Sequence, residues 1–137
     1  MESISKIVIL DTNFSMIPFL YKVDIFKGIE SKMNSAHHIC VPSMVLTELA
    51  GIKGKNSRDA PKAAATLKWL QKKIENHEVK LMITTDSVDD WIVNFAKQKE
   101  NKDKVVVCTN DVALRKTLKK KGVKVISLLG KKKLTIS

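Results

Sequence analysis

Short apolar runs alternate along the chain with longer segments of helical period, the pattern of an α/β domain built on a parallel sheet. It predicts strands near Lys6 to Leu10, His38 to Val41, Val79 to Ile83, Val105 to Cys108 and Lys124 to Leu128. Five such runs suffice for a small doubly wound sheet. Between them, Val23, Phe26, Ile29 and Met33 fall near helical spacing, and the segment Ser43 to Ile52 after Pro42 repeats Val45, Leu46, Leu49 and Ile52. Ala60 to Glu75 carries Ala63, Leu67, Leu70 and Ile74 on one face. Ser87 is placed to cap a helix from Val88 to Lys99, and the last helix, Val112 to Lys121, ends at Gly122. Residues 51–59 form the one long polar loop.

Two of the predicted strands stop at a carboxylate. Asp11 follows Ile7-Val-Ile-Leu10 in the triplet Asp11-Thr12-Asn13, and Asp111 follows Val105-Val-Val-Cys108 in the triplet Thr109-Asn110-Asp111. In open parallel sheets the crevice outside the carboxyl ends of the strands is where ligands bind, at the point where strand order reverses. Two carboxylates brought together there repel each other unless a cation lies between them, so a hard metal and then a phosphate are expected. The competing reading is that each Asp simply caps the helix that follows it.

At 137 residues, 44% hydrophobic and 28% charged, the chain has the size and composition of one folded domain. We take residues 1–130 as that domain and 131–137 as a basic C-terminal tail, with three readings: disorder, RNA binding, or an edge strand through Leu134 to Ile136. No apolar run approaches the roughly 20 residues of a membrane span, and the start Met1-Glu-Ser-Ile-Ser-Lys6 leads into a strand, not a signal peptide. A cytoplasmic protein with no membrane partner is expected. Cys40 and Cys108 close apolar runs and read as buried hydrophobes.

The net charge of +11 is unevenly placed. Up to Asp111 the chain holds 16 basic and 14 acidic residues; from Val112 onward there are 9 basic residues and no acid. A one-signed field beginning beside the candidate metal site suits a polyanion held by counterion release. A solvated lysine-rich surface is the plain alternative.

Two further acids join the pair once helices are placed. Glu48 lies in Pro42-Ser-Met-Val-Leu-Thr-Glu-Leu49, flanked by residues that would face the core, where a carboxylate needs a partner or a cation. Asp89 and Asp90 fall in the first turn of the helix after the third strand, where acids also stabilise the helix dipole without any ligand. His37, His38 and His77 lie at strand or loop edges away from these acids.

These segments together resemble the PIN-domain nucleases. Val8-Ile-Leu-Asp-Thr-Asn13, Val41-Pro-Ser-Met-Val-Leu-Thr-Glu-Leu49, Val88-Asp-Asp-Trp-Ile-Val-Asn-Phe-Ala96 and Val106-Val-Cys-Thr-Asn-Asp-Val-Ala-Leu-Arg115 look like that family's successive motifs, in its order and over nearly the whole chain. The pair Asp89-Asp90 and the ending Leu114 to Ile126 look closest to archaeal members similar to small-subunit ribosomal-RNA-processing nucleases. The resemblance implies a three-layer α/β fold with a five-stranded parallel sheet, order 3-2-1-4-5, which sets Asp11 beside Asp111. It implies Asp11, Glu48, Asp89 and Asp111 as catalytic acids that hold Mg²⁺ or Mn²⁺, with Thr12, Asn13, Asp90, Thr109 and Asn110 in support. It also implies cleavage of single-stranded RNA to leave a 5′-phosphate and a 3′-hydroxyl, and a homodimer. Trp91 departs from the small residue expected at its position and reads as core packing or a base-stacking platform.

Metal-held carboxylates activate water and relieve the leaving oxygen of charge, so no Ser, His or Cys nucleophile is needed. Lys53, Lys55, Arg58, Arg115, Lys116 and Lys119 are the candidates for holding RNA phosphates. A VapC-type toxin with an antitoxin partner would use the same acids, whereas an rRNA-processing role calls for a ribosome-assembly partner. A non-catalytic RNA-binding scaffold would not use them. A phosphoacceptor receiver domain needs a second acid just after the first strand, which residues 11 to 13 lack.

Overall fold

The computed structural model describes residues 5–137, so the reading of the first four residues as a non-signal start lies outside them. In chain order the elements are β1 (Lys6–Leu10), α1 (Thr12–Ser15), α2 (Ile17–Tyr21), α3 (Ile25–Lys32), β2 (His37–Pro42), α4 (Ser43–Lys53) and α5 (Ala60–Glu75). They continue as β3 (Lys80–Met82), α6 (Val88–Lys97), β4 (Val105–Cys108), α7 (Val112–Lys120), β5 (Lys124–Leu129) and β6 (Lys133–Ile136). The sheet runs β3-β2-β1-β4-β5-β6. Its first five strands are parallel, in the expected order 3-2-1-4-5.

All four residues of β4, and Val8, Ile9 and Leu10 of β1, are buried. A strand buried at consecutive positions has both faces covered, which is why these runs are uninterruptedly apolar. Phe14, Leu49, Leu70, Ile92 and Leu118 supply fully buried side chains from the surrounding helices. Trp69 of α5 packs against Phe19 of α2 and Phe26 of α3, at ring-centroid distances of 5.9 and 5.2 Å.

The sheet has six strands where five were expected. Lys132 N–H donates to the Leu129 carbonyl across Gly130 and Lys131, both at positive φ (62° and 63°), the dihedral pattern of a type I′ hairpin turn. The chain therefore turns back, and β6 pairs antiparallel with β5 through Leu128↔Leu134 and Ser127↔Thr135. Of the three readings of the tail, the edge strand is the one observed. At the other edge, β3 is shorter than its apolar run, and Ile83 beyond it is 80% exposed. Trp91 stacks on Phe95 one turn along α6 (4.8 Å, 17°) and packs against the core edge. Cys40 and Cys108 are free and buried, and burial raises both thiols above the usual range.

Candidate active site

The register of β1 on β4 brings the two strand-end acids to one crevice. Leu10 pairs with Cys108, and the Asp11 N–H donates to the Cys108 carbonyl at 3.2 Å, so both chains leave the sheet side by side. Each Asp then caps a helix. Asp11 Oδ1 accepts from Phe14 N–H at 2.7 Å, and Asp111 Oδ1 accepts from Leu114 N–H at 2.8 Å. The Thr109 hydroxyl fixes that second turn by accepting from Asp111 N–H at 3.0 Å.

Glu48 and Asp89 reach the same place from two other helices. A cavity of about 280 Å³ is lined by Asp11, Asp111, Glu48, Asp89, Thr12 and Asn13, with Ile52, Ser87 and Val88 completing it. Thr12 donates its hydroxyl to Glu48 Oε1 at 2.6 Å, tying α4 to the segment after β1. Glu48 is exposed, which corrects the expectation of a carboxylate against the core; Val45 and Leu49 take the buried positions on α4.

A second link holds these helices in register. The side chain of Pro42, which precedes α4, offers no cap; Thr84 Oγ1 accepts instead from Met44 N–H at 3.2 Å. Ser43 Oγ in turn accepts from Thr84 N–H at 2.8 Å and lies 3.1 Å from the Thr84 carbonyl. Sequence reasoning missed this clamp and the lining role of Ile52, Ser87 and Val88, because nothing local marks a Ser–Thr contact across 41 residues.

Other expected site residues lie outside the cavity lining. Asp90 is exposed next to Asp89. Asn110 commits its amide to the end of β5: Oδ1 accepts from Leu128 N–H at 2.7 Å, and Nδ2 donates to the Leu128 carbonyl at 3.2 Å. It anchors a loop to the end of β5 and does not line the acidic cavity. Arg115 directs Nη1 toward Ser127 Oγ at 3.5 Å. Lys53, Lys55, Arg58, Lys116 and Lys119 are exposed on α4, its following loop and α7. His37, His38 and His77 gather with Glu78 and Lys80 around a separate cavity at the amino-terminal end of β2.

The electrostatics of the acids are those of an uncompensated cluster. None of the lining residues is basic, and among the described residues none of the four carboxylates is in an ion pair. Burial raises the Asp11 carboxyl from 3.8 to about 6; hydrogen bonds from Thr109 and Phe14 pull it partly back, and the charges of Asp89 and Asp111 push it up again. Asp89 is also raised, first by desolvation and then by Asp111, Glu48 and Asp90. Among the described residues no three such side chains stand close enough to form a finished metal shell. Donor chemistry nevertheless fits a hard divalent cation, because the donors are carboxylate oxygens with excess negative charge. Mg²⁺ keeps several of its waters and is bound through one or two carboxylates, so it does not require a closed protein cage.

Residues 8–131 match the PIN like domain family. The chain is 30% identical over 126 residues to a protein of Methanocaldococcus jannaschii named Ribonuclease VapC4, spanning 91% of this chain and 92% of that relative. Its fold is similar to that of the PIN domain endonuclease Utp24, with TM-score 0.73 at 23% identity, over 96% of this chain and 90% of the other. A domain of a functionally unknown protein from Methanocaldococcus jannaschii matches at TM-score 0.63 and 19% identity, over 92% and 93%. The chain thus belongs to the PIN like domain family, the nuclease family that its four sequence motifs resemble.

Proposed function

We propose that this protein is a metal-dependent endoribonuclease that hydrolyses phosphodiester bonds in single-stranded or looped RNA, with Asp11, Glu48, Asp89 and Asp111 as its working acids. The observation that carries the reading is the convergence of these carboxylates, from four separate segments, on one cavity with no basic lining residue. Asp11 and Asp111 each use Oδ1 to cap a helix. That hydrogen bond restrains each carboxyl group on the cavity lining. Glu48 is oriented by Thr12, and Asp89 enters from the first turn of α6. These four would hold Mg²⁺ or Mn²⁺, which when bound polarises the scissile phosphate and lowers the pKa of an attacking water. Asn13, exposed on the cavity lining, is positioned to hold that water or a phosphate oxygen.

The relative at 30% identity is named Ribonuclease VapC4, which favours the VapC-type reading, a toxin ribonuclease held by an antitoxin. Motif resemblance favours ribosomal-RNA processing with an assembly partner. Both use the same chemistry, and expression of the protein alone separates them, since a toxin arrests growth and its Asp11→Asn variant does not.

The test of the shared chemistry is incubation of a looped RNA with the protein and with Asp11→Asn, in Mn²⁺, Mg²⁺ or EDTA. Metal-dependent cleavage by the wild type alone is expected. Equal binding and no cleavage by either protein would move the scaffold reading ahead.

A further inference from the structure

A strongly basic concave surface lies away from the acids, where β6 packs on α3. One cavity of about 370 Å³ is lined by Lys6, Lys32, Lys102 and Lys124 together with Asn34 and Ser35. A second, of about 400 Å³, shares Lys32 and adds Lys22, Lys27, Lys132 and Lys133. The shared lysine joins them into one surface with eight lysines and two carboxylates, Asp24 and Asp103. Asp24 is partly neutralised by its place as the α3 cap, accepting from Lys27 N–H at 3.1 Å. The Lys6 ammonium donates to the Asp103 backbone carbonyl, not to its carboxylate.

The fold builds this surface deliberately close. A methyl group at Gly28 on α3 would lie 2.7 Å from Leu134 Cδ1, so the absence of a side chain there lets β6 seat against the helix. The hairpin turn through Gly130 and Lys131 then carries Lys132 and Lys133 to the side of Lys22, Lys27 and Lys32. Without that turn the tail's charges would belong to no surface.

We propose that the α3–β6 face is a second RNA-binding site, an exosite that holds the phosphate backbone of substrate flanking the bond at the acids. Its place follows from β1: Lys6 begins the strand and Asp11 follows its end, five residues on, or roughly 16 Å at strand rise. The straight line between them runs inside the sheet, whose β1 residues Val8, Ile9 and Leu10 are buried, so RNA touching both ends must pass over the surface, a longer path that a di- or trinucleotide at the acids does not cover and a longer RNA does. The kind of ligand follows from the kind of cation. Neither arginine of the chain, Arg58 or Arg115, lines either cavity. Protein interfaces are enriched in Arg and aromatic anchors and depleted in Lys, while lysines acting as point charges suit sequence-independent phosphate contact through counterion release. The exosite deepens the ribonuclease reading and rests on it for its purpose, but its binding is measured separately.

The test uses the full chain carrying Lys27→Gln, Lys32→Gln, Lys132→Gln and Lys133→Gln, beside a charge-matched control with Lys68→Gln, Lys72→Gln, Lys97→Gln and Lys99→Gln. Circular dichroism and thermal melting establish that both fold. Binding of a labelled single-stranded RNA of about 30 nucleotides, in EDTA, is titrated against salt and compared with a trinucleotide of about the same base composition. The exosite variant is expected to bind the long RNA about tenfold more weakly or worse near 0.1 M salt, with its log–log salt slope shallower by about 2 to 3. The control is expected to bind as the wild type does, and the wild type to prefer the long RNA by a margin the exosite variant loses. Equal weakening in the two variants would reduce the effect to net charge and overturn the proposal. So would unchanged binding by the exosite variant, or a defect seen only with an acidic peptide such as oligoglutamate. Wild-type binding without metal-dependent cleavage would instead sink the nuclease reading and leave the exosite standing.

Discussion

Substituting Asp11 by Asn should stabilise the metal-free protein while abolishing its activity. The Asp11 carboxyl is raised from 3.8 to about 6, chiefly by burial. Above both values the folded protein must hold a charge that the unfolded chain carries more easily, so ionised Asp11 lowers stability at pH 7 to 8. That penalty fades as pH falls through about 6 and is gone below about 4, where both states bind the proton. At about 1.4 kcal/mol for each tenfold change in proton affinity, the penalty is about 3 kcal/mol. Asn removes the charge, keeps an oxygen to accept from Phe14 N–H, and is as good a helix cap as Asp. It also relieves the repulsion felt by Asp89. In EDTA at about pH 7.5 the variant should therefore melt about 10 °C higher than the wild type in scanning calorimetry, and the difference should close near pH 4. Adding Mn²⁺ should raise the wild-type melting temperature and leave the variant's unchanged, because only a ligand bound by the folded state shifts it. A variant no more stable than wild type at pH 7.5, or one whose advantage persists unchanged at pH 4, would refute the reasoning: the gain would be absent or would come from packing.

Asp111→Asn should keep its cap to Leu114 N–H and so shift stability by less than about 0.5 kcal/mol, yet lose metal-dependent cleavage; urea denaturation beside a cleavage assay checks both halves. Ser43→Ala should cost about 1 to 3 kcal/mol, since Thr84 N–H loses its partner in a half-buried site. Cleavage should fall with it, because the clamp sets α4, which bears Glu48, against the loop leading to α6. Gly28→Ala should destabilise by about 1 to 3 kcal/mol despite alanine's better helix propensity, because Leu134 must move off a 2.7 Å contact. Hydrogen exchange should show the loss concentrated in β6.

The five parallel strands and their order were legible because buried central strands leave uninterrupted apolar runs and the motifs occur in a recognisable sequence. What was not legible is short or set by tertiary contact. Helices α1 and α2 span four and five residues, too few for a helical period to register. The turn into α3 uses Lys22 at φ 56°, with no glycine to announce it. The hairpin before β6 rests on Gly130-Lys131, a weaker signal than Asn-Gly, and it hides inside a lysine run that reads equally well as a tail. At β3 the apolar run misled in the other direction: Ile83 extends it in sequence, but pairing ends at Met82, and buried Thr84 turns to Ser43.

At the site, two readings that compete in the sequence describe the same atoms. Asp11 and Asp111 are helix caps, as the plain interpretation held, and both also line the acidic cavity. A carboxylate has two oxygens, and capping engages only one of them with a backbone amide. The cap therefore restrains a group that would otherwise rotate, and it partly offsets the desolvation that raises Asp11. Capping supplies folding stability at the end of each strand and, with the same hydrogen bond, holds the carboxylate on the cavity lining. Asn110 uses its side chain differently: both ends of its amide bond Leu128, and it lies outside the cavity lining. At these strand ends, then, the residues that cap the following helix are the ones held on the cavity lining, and the one that bonds the neighbouring strand is not.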